Sequence, residues 1–160
     1  MKNNPDIVGI AQGGVVKSPG ELITYALGSC VGICLYDRKN KIAGMAHILL
    51  PSRQDALDQT NLYKFADTGC ERLLSAMLKE GADLRSITAK IAGGATMFGG
   101  NSGRESIGTR NVKAVRAALM QLGIGLTAED TGKDYGRTVA LDAASGAVTV
   151  RSVKYGVHII

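Results

Sequence analysis

The sequence predicts an α+β fold in which layered mixed or antiparallel sheets carry two main helices packed on the outside. Three observations carry that expectation. Apolar segments of strand length, bounded by Gly, Pro and polar turns, fill much of the 160-residue chain. Two segments, 61–79 and 111–122, change to the three- and four-residue spacing of amphipathic helices. Strands and helices do not alternate as regular βαβ units would, so a doubly wound parallel sheet is not expected.

The elements follow in order. "DIVGIAQ" reads as a short strand and "KSPGE" as a turn. "LITYALG" is a second strand, and "VGICLYD" and "KIAGMAHILL" form a hairpin about the polar turn "DRKN", closed by Pro51. The first helix places Leu62, Phe65, Ala66, Gly69, Leu73, Ala76 and Met77 on one face, and Gly81 stands where a C-terminal cap belongs. "SITAKIAG" is a strand, and "GGATMFGGNSGRESIG" reads as a long loop. The second helix turns Val112, Val115, Leu119 and Leu122 inward and Arg110, Lys113 and Arg116 outward. "RTVALDAASGAVTVRSV" is a hairpin about residues 144–146. The total is about seven strands and two helices in one domain spanning 1–160.

Composition narrows the classes of function. Aromatics are only 4% of residues and there is no Trp, so the core is built from small and branched aliphatics. The net charge of +5 and pI near 9.2 lean towards an acidic partner surface. No Lys/Arg run with interleaved aromatics accompanies that charge, so a nucleic-acid partner is not expected. Neither a signal-peptide h-region nor a bilayer-length apolar run is present, and three cysteines do not suggest a disulfide framework. A cytoplasmic location is expected, without membrane insertion.

Cys30 and His47 are the candidate chemistry. A two-residue turn between Arg38 and Lys39 gives an index sum of 77 and sets Cys30 opposite His47, whereas a three-residue loop sets His47 opposite Val31. An imidazole beside a thiol favours the thiolate, which attacks acyl carbons. Gly28 and Ser29, in "LGSC", let backbone N–H groups face a developing oxyanion. Thr24 can orient the imidazole through its hydroxyl. The competing reading makes Cys30 a buried small hydrophobe, and that reading prevails for Cys34 and Cys70. No zinc pattern occurs, and "GGATMFGGNSG" lacks the ending of a P-loop. The stripe Arg110, Lys113, Arg116 is either a solvated face or a docking surface for an acidic partner.

"ITYALGSCVGICLYD", "GMAHILLP", "AKIAGGATMF", "IGTRNVKAVRAAL" and "GRTVALDAASGAVTV" together resemble the chemoreceptor glutamine deamidase (CheD) family over nearly the whole chain. The resemblance implies a cysteine hydrolase that converts receptor glutamines to glutamates, with receptor glutamyl methyl esters as further substrates. It implies a Cys-His-Thr triad at Cys30, His47 and Thr24, no metal or organic cofactor, and a fold similar to toxin-type cysteine deamidases. The expected partners are chemoreceptor cytoplasmic domains and a CheC-type phosphatase. The alternative within the same resemblance is an interaction protein that stimulates such a phosphatase with little turnover. One departure from the family is Lys133 after Gly132, where a Gly-Gly pair is common.

Overall fold

The computed structural model describes residues 4–97 and 104–160. Among these are two five-stranded mixed sheets and two α-helices. The first sheet runs β1 (Asp6–Ile7), β3 (Glu21–Leu27), β8 (Arg137–Asp142), β9 (Val148–Ser152), β10 (Gly156–Ile159). The second runs β2 (Gly13–Lys17), β5 (Ile42–Ile48), β4 (Val31–Asp37), β6 (Ile87–Gly93), β7 (Gly125–Thr131). Among the described strands, β1–β3 and β6–β7 pair in parallel and the other neighbours are antiparallel.

Alternation along the strands of the second sheet divides the interior into two apolar layers. Val31, Ile33 and Leu35 of β4 face the helices, where they meet Cys70, Leu73 and Met77 of α1 (Ala66–Lys79) and Val112, Val115 and Leu119 of α2 (Ile107–Gln121). Cys34 of β4 and Ala43 and Met45 of β5 face the first sheet, against Leu22, Val139, Leu141 and Val150. The order is therefore helices, second sheet, first sheet. That is the predicted class, with the helices on one outer side.

Several boundaries differ from the sequence expectation, each for a local reason. Segment 62–64 is a 3-10 turn capped by the Asn61 side chain, so α1 begins later than position 61. Conversely α2 begins earlier than 111, because the Ser106 side chain accepts from the Thr109 N–H and caps a helix start within the "loop" sequence. β2, β7 and β10 were not expected. All three are sheet edges, where Gly-rich "GGVVK", acidic "GLTAEDT" and the wholly exposed "GVHI" need bury no regular apolar face.

The β4–β5 register is corrected too. Asp37 pairs with Ile42, so the turn holds four residues and the index sum is 79. The cause is the buried Asp37 carboxylate, which accepts from the Lys39 and Asn40 N–H groups, the Asn40 side chain and the Asp83 N–H. Burial alone would raise its pKa, but those hydrogen bonds hold it below the usual carboxylate value. His47 consequently faces Gly32, neither Cys30 nor Val31. A shift of two residues preserves the face, so Cys30 and His47 still point into the same layer.

Candidate active site

His47, Thr24 and Cys30 all lie in the layer between the sheets. His47 comes from β5, where its backbone is held by Gln12 O (3.0 Å) and by the Ala11 N–H (2.9 Å). Thr24 comes from β3 of the other sheet, and both side chains are fully buried. Gly32, directly across from His47, leaves room for this meeting. A Cβ there would stand 3.0 Å from Leu27 Cδ1 and 3.7 Å from Thr24 Cγ2, so a larger residue would push β3 away.

The Thr24 hydroxyl determines the state of the imidazole. Its proton goes to Val8 O at 2.7 Å, since a carbonyl can only accept. The 2.8 Å contact between Thr24 Oγ1 and His47 Nδ1 must then be donated by the ring. His47 thus carries its proton on Nδ1 and presents an unprotonated Nε2. That Nε2 is buried and has no hydrogen-bond partner among the described residues.

Cys30 precedes β4, is half-buried, and packs against the inter-sheet layer two residues before Gly32. Its thiol makes no hydrogen bond to Nε2. The chain enters this position through a bulge: the β3–β8 register shifts between Thr24 and Leu27, and Ala26 adopts a left-handed φ of 58°. Beyond the bulge, the carbonyls of Gly28 and Cys30 accept from Ala95 and Gly94. Gly93 permits this contact, because a Cβ there would lie 2.3 Å from Cys30 O.

The two expected oxyanion donors differ in their availability. The Gly28 N–H is engaged by Ala26 O at 3.1 Å. Among the described residues, neither the Ser29 nor the Cys30 N–H donates to another residue. The Ser29 N–H is thus without a partner among the described residues, while the Cys30 N–H lies against its own sulfur.

Electrostatics set the resting protonation. Burial lowers the His47 pKa from its ordinary 6.5. Burial raises the Cys30 thiol from 9.0, partly offset by its own backbone N–H. The thiol and the imidazole are therefore both neutral at rest, a neutral pair instead of the thiolate expected from adjacency. Cys34 and Cys70 are buried core thiols, with pKa values pushed up to about 12.

The expected docking stripe on α2 is paired internally. Arg110 meets Asp55 at 3.7 Å, Lys113 meets Glu105 at 2.6 Å, and Arg116 bonds Glu129. Of the expected long loop "GGATMFGGNSGRESIG", residues 98–103 lie outside the described residues.

Two features gain their meaning only from tertiary contacts. Asn111, fully buried on α2, donates its amide to both Ser29 O and Leu49 O at 2.9 Å. Its place in "IGTRN" was visible, but a helical Asn gives no sign of its tertiary partner. The second feature is the loop 132–136. Buried Arg137 holds it through Asp130, Gly132 O and Tyr135 O, and it reaches the Gly93–Thr96 segment through Gly132 N to Gly93 O and Thr96 N to Lys133 O. His158, on edge strand β10, bonds Asp130 at 2.6 Å.

Comparison with known proteins agrees with the sequence resemblance. "Probable chemoreceptor glutamine deamidase CheD" of Caldanaerobacter subterraneus subsp. tengcongensis is 49% identical over 155 residues, covering 96% of each chain. The protein of the same name from Moorella thermoacetica is 48% identical, covering 91% of this chain and 89% of the relative. That from Clostridium botulinum (strain Alaska E43 / Type E3) is 45% identical and covers 98% of both. The crystal structure of Bacillus licheniformis hypothetical protein YfiH overlaps 74% of this chain and 49% of its own, with a TM-score of 0.48 and 16% identity. Residues 49–152 match the family described as "CheD chemotactic sensory transduction", a span that begins just after His47. By that match and by near-full-length relatives at 45–49% identity, the chain belongs to the CheD family.

Proposed function

We propose that this protein is a chemoreceptor glutamine deamidase that works by thiol catalysis, with Cys30 as nucleophile, His47 as base and acid, and Thr24 orienting the ring. Support comes first from the Thr24–His47 hydrogen bond, which leaves Nε2 as a proton acceptor in the layer that Cys30 enters. The names of the relatives supply the substrate class.

The cycle balances with these groups and water. A receptor glutamine presents its carboxamide at Cys30. The thiol proton passes to Nε2 as the C–S bond forms, and the oxyanion is held by the Ser29 and Cys30 N–H groups. The imidazolium keeps its Nδ1–H on Thr24. It returns the Nε2 proton to the amine, the C–N bond breaks and ammonia leaves. Water then gives a proton to Nε2 and attacks the thioester, releasing glutamate and restoring the thiol. A receptor glutamyl methyl ester follows the same path with methanol as leaving group, and we include it in the proposal.

Receptor docking by Arg110, Lys113 and Arg116 is proposed as partner exchange. Their side chains are 49%, 61% and 48% exposed while paired, so glutamates on a receptor helix would displace Asp55, Glu105 and Glu129. Reversal of all three to Glu is expected to raise KM and flatten its salt dependence, and unchanged kinetics would remove this role. The alternative, an interaction protein that binds a CheC-type phosphatase without turnover, gives no purpose to a buried, tautomer-fixed histidine. The deciding experiment incubates the protein with a chemoreceptor cytoplasmic fragment and maps deamidated glutamines by peptide mass spectrometry. Conversion of particular glutamines is expected, and none would overturn the proposal in favour of the interaction protein.

A further inference from the structure

We infer that Asn111 is a positioning residue for the oxyanion site: by holding the Ser29 carbonyl, it aims the N–H of Cys30 at the reacting carbon's oxygen. The inference rests on the proposed thiol mechanism. Three observations carry it. Asn111 is fully buried, and its amide nitrogen donates to Ser29 O and to Leu49 O, both at 2.9 Å. Because both partners are carbonyls, the orientation of the amide is fixed as donor. The Ser29–Cys30 peptide is trans, as the only cis bond among the described residues is Ser18–Pro19. In a planar trans peptide the N–H points opposite to the C=O. A carbonyl pinned towards α2 therefore sends the Cys30 N–H away from the helix, where it lies against its own sulfur.

The second bond gives the clamp its reach. Leu49 lies two residues after His47, so one amide joins the nucleophile loop to the end of the strand that carries the base. Asn111 touches neither substrate nor sulfur in this account and acts only through the two carbonyls.

Two reactions of one thiol separate positioning from general structural support. Alkylation by iodoacetamide needs the Cys30 sulfur and its proton acceptor but develops no oxyanion, whereas deamidation needs all three. Asn111→Leu removes both donors with similar volume. Asn111→Asp, which offers at most one, serves if the leucine variant does not fold. In the folded variant, kcat for deamidation of a chemoreceptor cytoplasmic fragment is expected to fall at least about tenfold, within the roughly 10²–10³-fold lost with a whole oxyanion donor. The rate of Cys30 alkylation and its pH profile should stay as in the unsubstituted protein. Unchanged kcat in a folded variant would overturn the inference. So would parallel loss of deamidation and alkylation, which would make Asn111 a general support of the loop. Failure of the underlying thiol mechanism shows separately, as deamidation that persists in Cys30→Ala.

Discussion

Thr24→Val is a near-isosteric change that removes one oxygen and, with it, two buried hydrogen bonds. The 2.7 Å bond to Val8 O and the 2.8 Å bond from His47 Nδ1 are both lost. Each leaves a buried polar group unpaired, so stability should fall by about 2–4 kcal/mol in total. A domain with the usual reserve of roughly 5–15 kcal/mol still folds. The catalytic loss follows from charge. In the resting enzyme the ring is neutral and the bond contributes about 0.5–1.5 kcal/mol; in the transition state the ring is an imidazolium, and such a bond contributes about 1.5–3 kcal/mol. Only the difference, about 1–2 kcal/mol, counts towards rate, which is about a 5- to 30-fold drop in kcat/KM. Loss of the Nδ1–H tautomer adds to that drop, because a ring protonated on Nε2 cannot accept the thiol proton. The assay is the initial rate of ammonia release from a receptor fragment, with nitrogen NMR of His47 to read the tautomer. Thr24→Ser, which keeps the hydroxyl, should recover most of the activity. Unchanged kcat/KM together with an unchanged tautomer in Thr24→Val would refute the reasoning.

Three further outcomes are expected. The acid limb of kcat/KM should have its midpoint below 6.5, because burial lowers the His47 pKa and the base must be unprotonated; a midpoint above 6.5 would contradict the neutral resting pair. Labelling by a small thiol reagent near neutral pH should fall almost wholly on Cys30, since Cys34 and Cys70 are 2% and 0% exposed; because burial alone protects those two, the informative result is that His47→Ala slows Cys30 labelling, and no change would remove His47 as its base. Asp37→Ala should cost about 2–4 kcal/mol by denaturant unfolding, as several N–H groups lose a charged acceptor. The Asp37 pKa is depressed on folding, so its contribution is present above the ordinary 3.8 and fades as pH falls through the lower folded value; acid stability that matches Asp37→Ala throughout would contradict this.

The fold class and the central strands were legible because burial on both sides of the second sheet makes β4 and β5 continuous apolar runs, while one-sided burial makes β8 and β9 alternate. Edge strands β2, β7 and β10 were not, since an edge need not alternate. Neither the register of Cys30 and His47 nor the face they share was settled by the sequence, which allowed His47 opposite Cys30 or opposite Val31; the register depends on Asp37 reaching the Asp83 N–H from another segment. Thr24 could be named as a candidate from its hydroxyl. Its bond to Val8, which fixes the proton on Nδ1, is a tertiary fact. Asn111 lay in plain view, yet its two carbonyl partners are 82 and 62 residues away in sequence.

The central claim is that receptor glutamine is opened by the Cys30 sulfur. Its most direct test is mass-spectrometric mapping of a chemoreceptor cytoplasmic fragment after incubation with the protein or with Cys30→Ala, folding of the variant being verified by thermal melting. The account predicts deamidation at particular glutamines by the protein and none above the uncatalysed background by Cys30→Ala. Conversion of the same glutamines by a folded Cys30→Ala at an undiminished rate would contradict it.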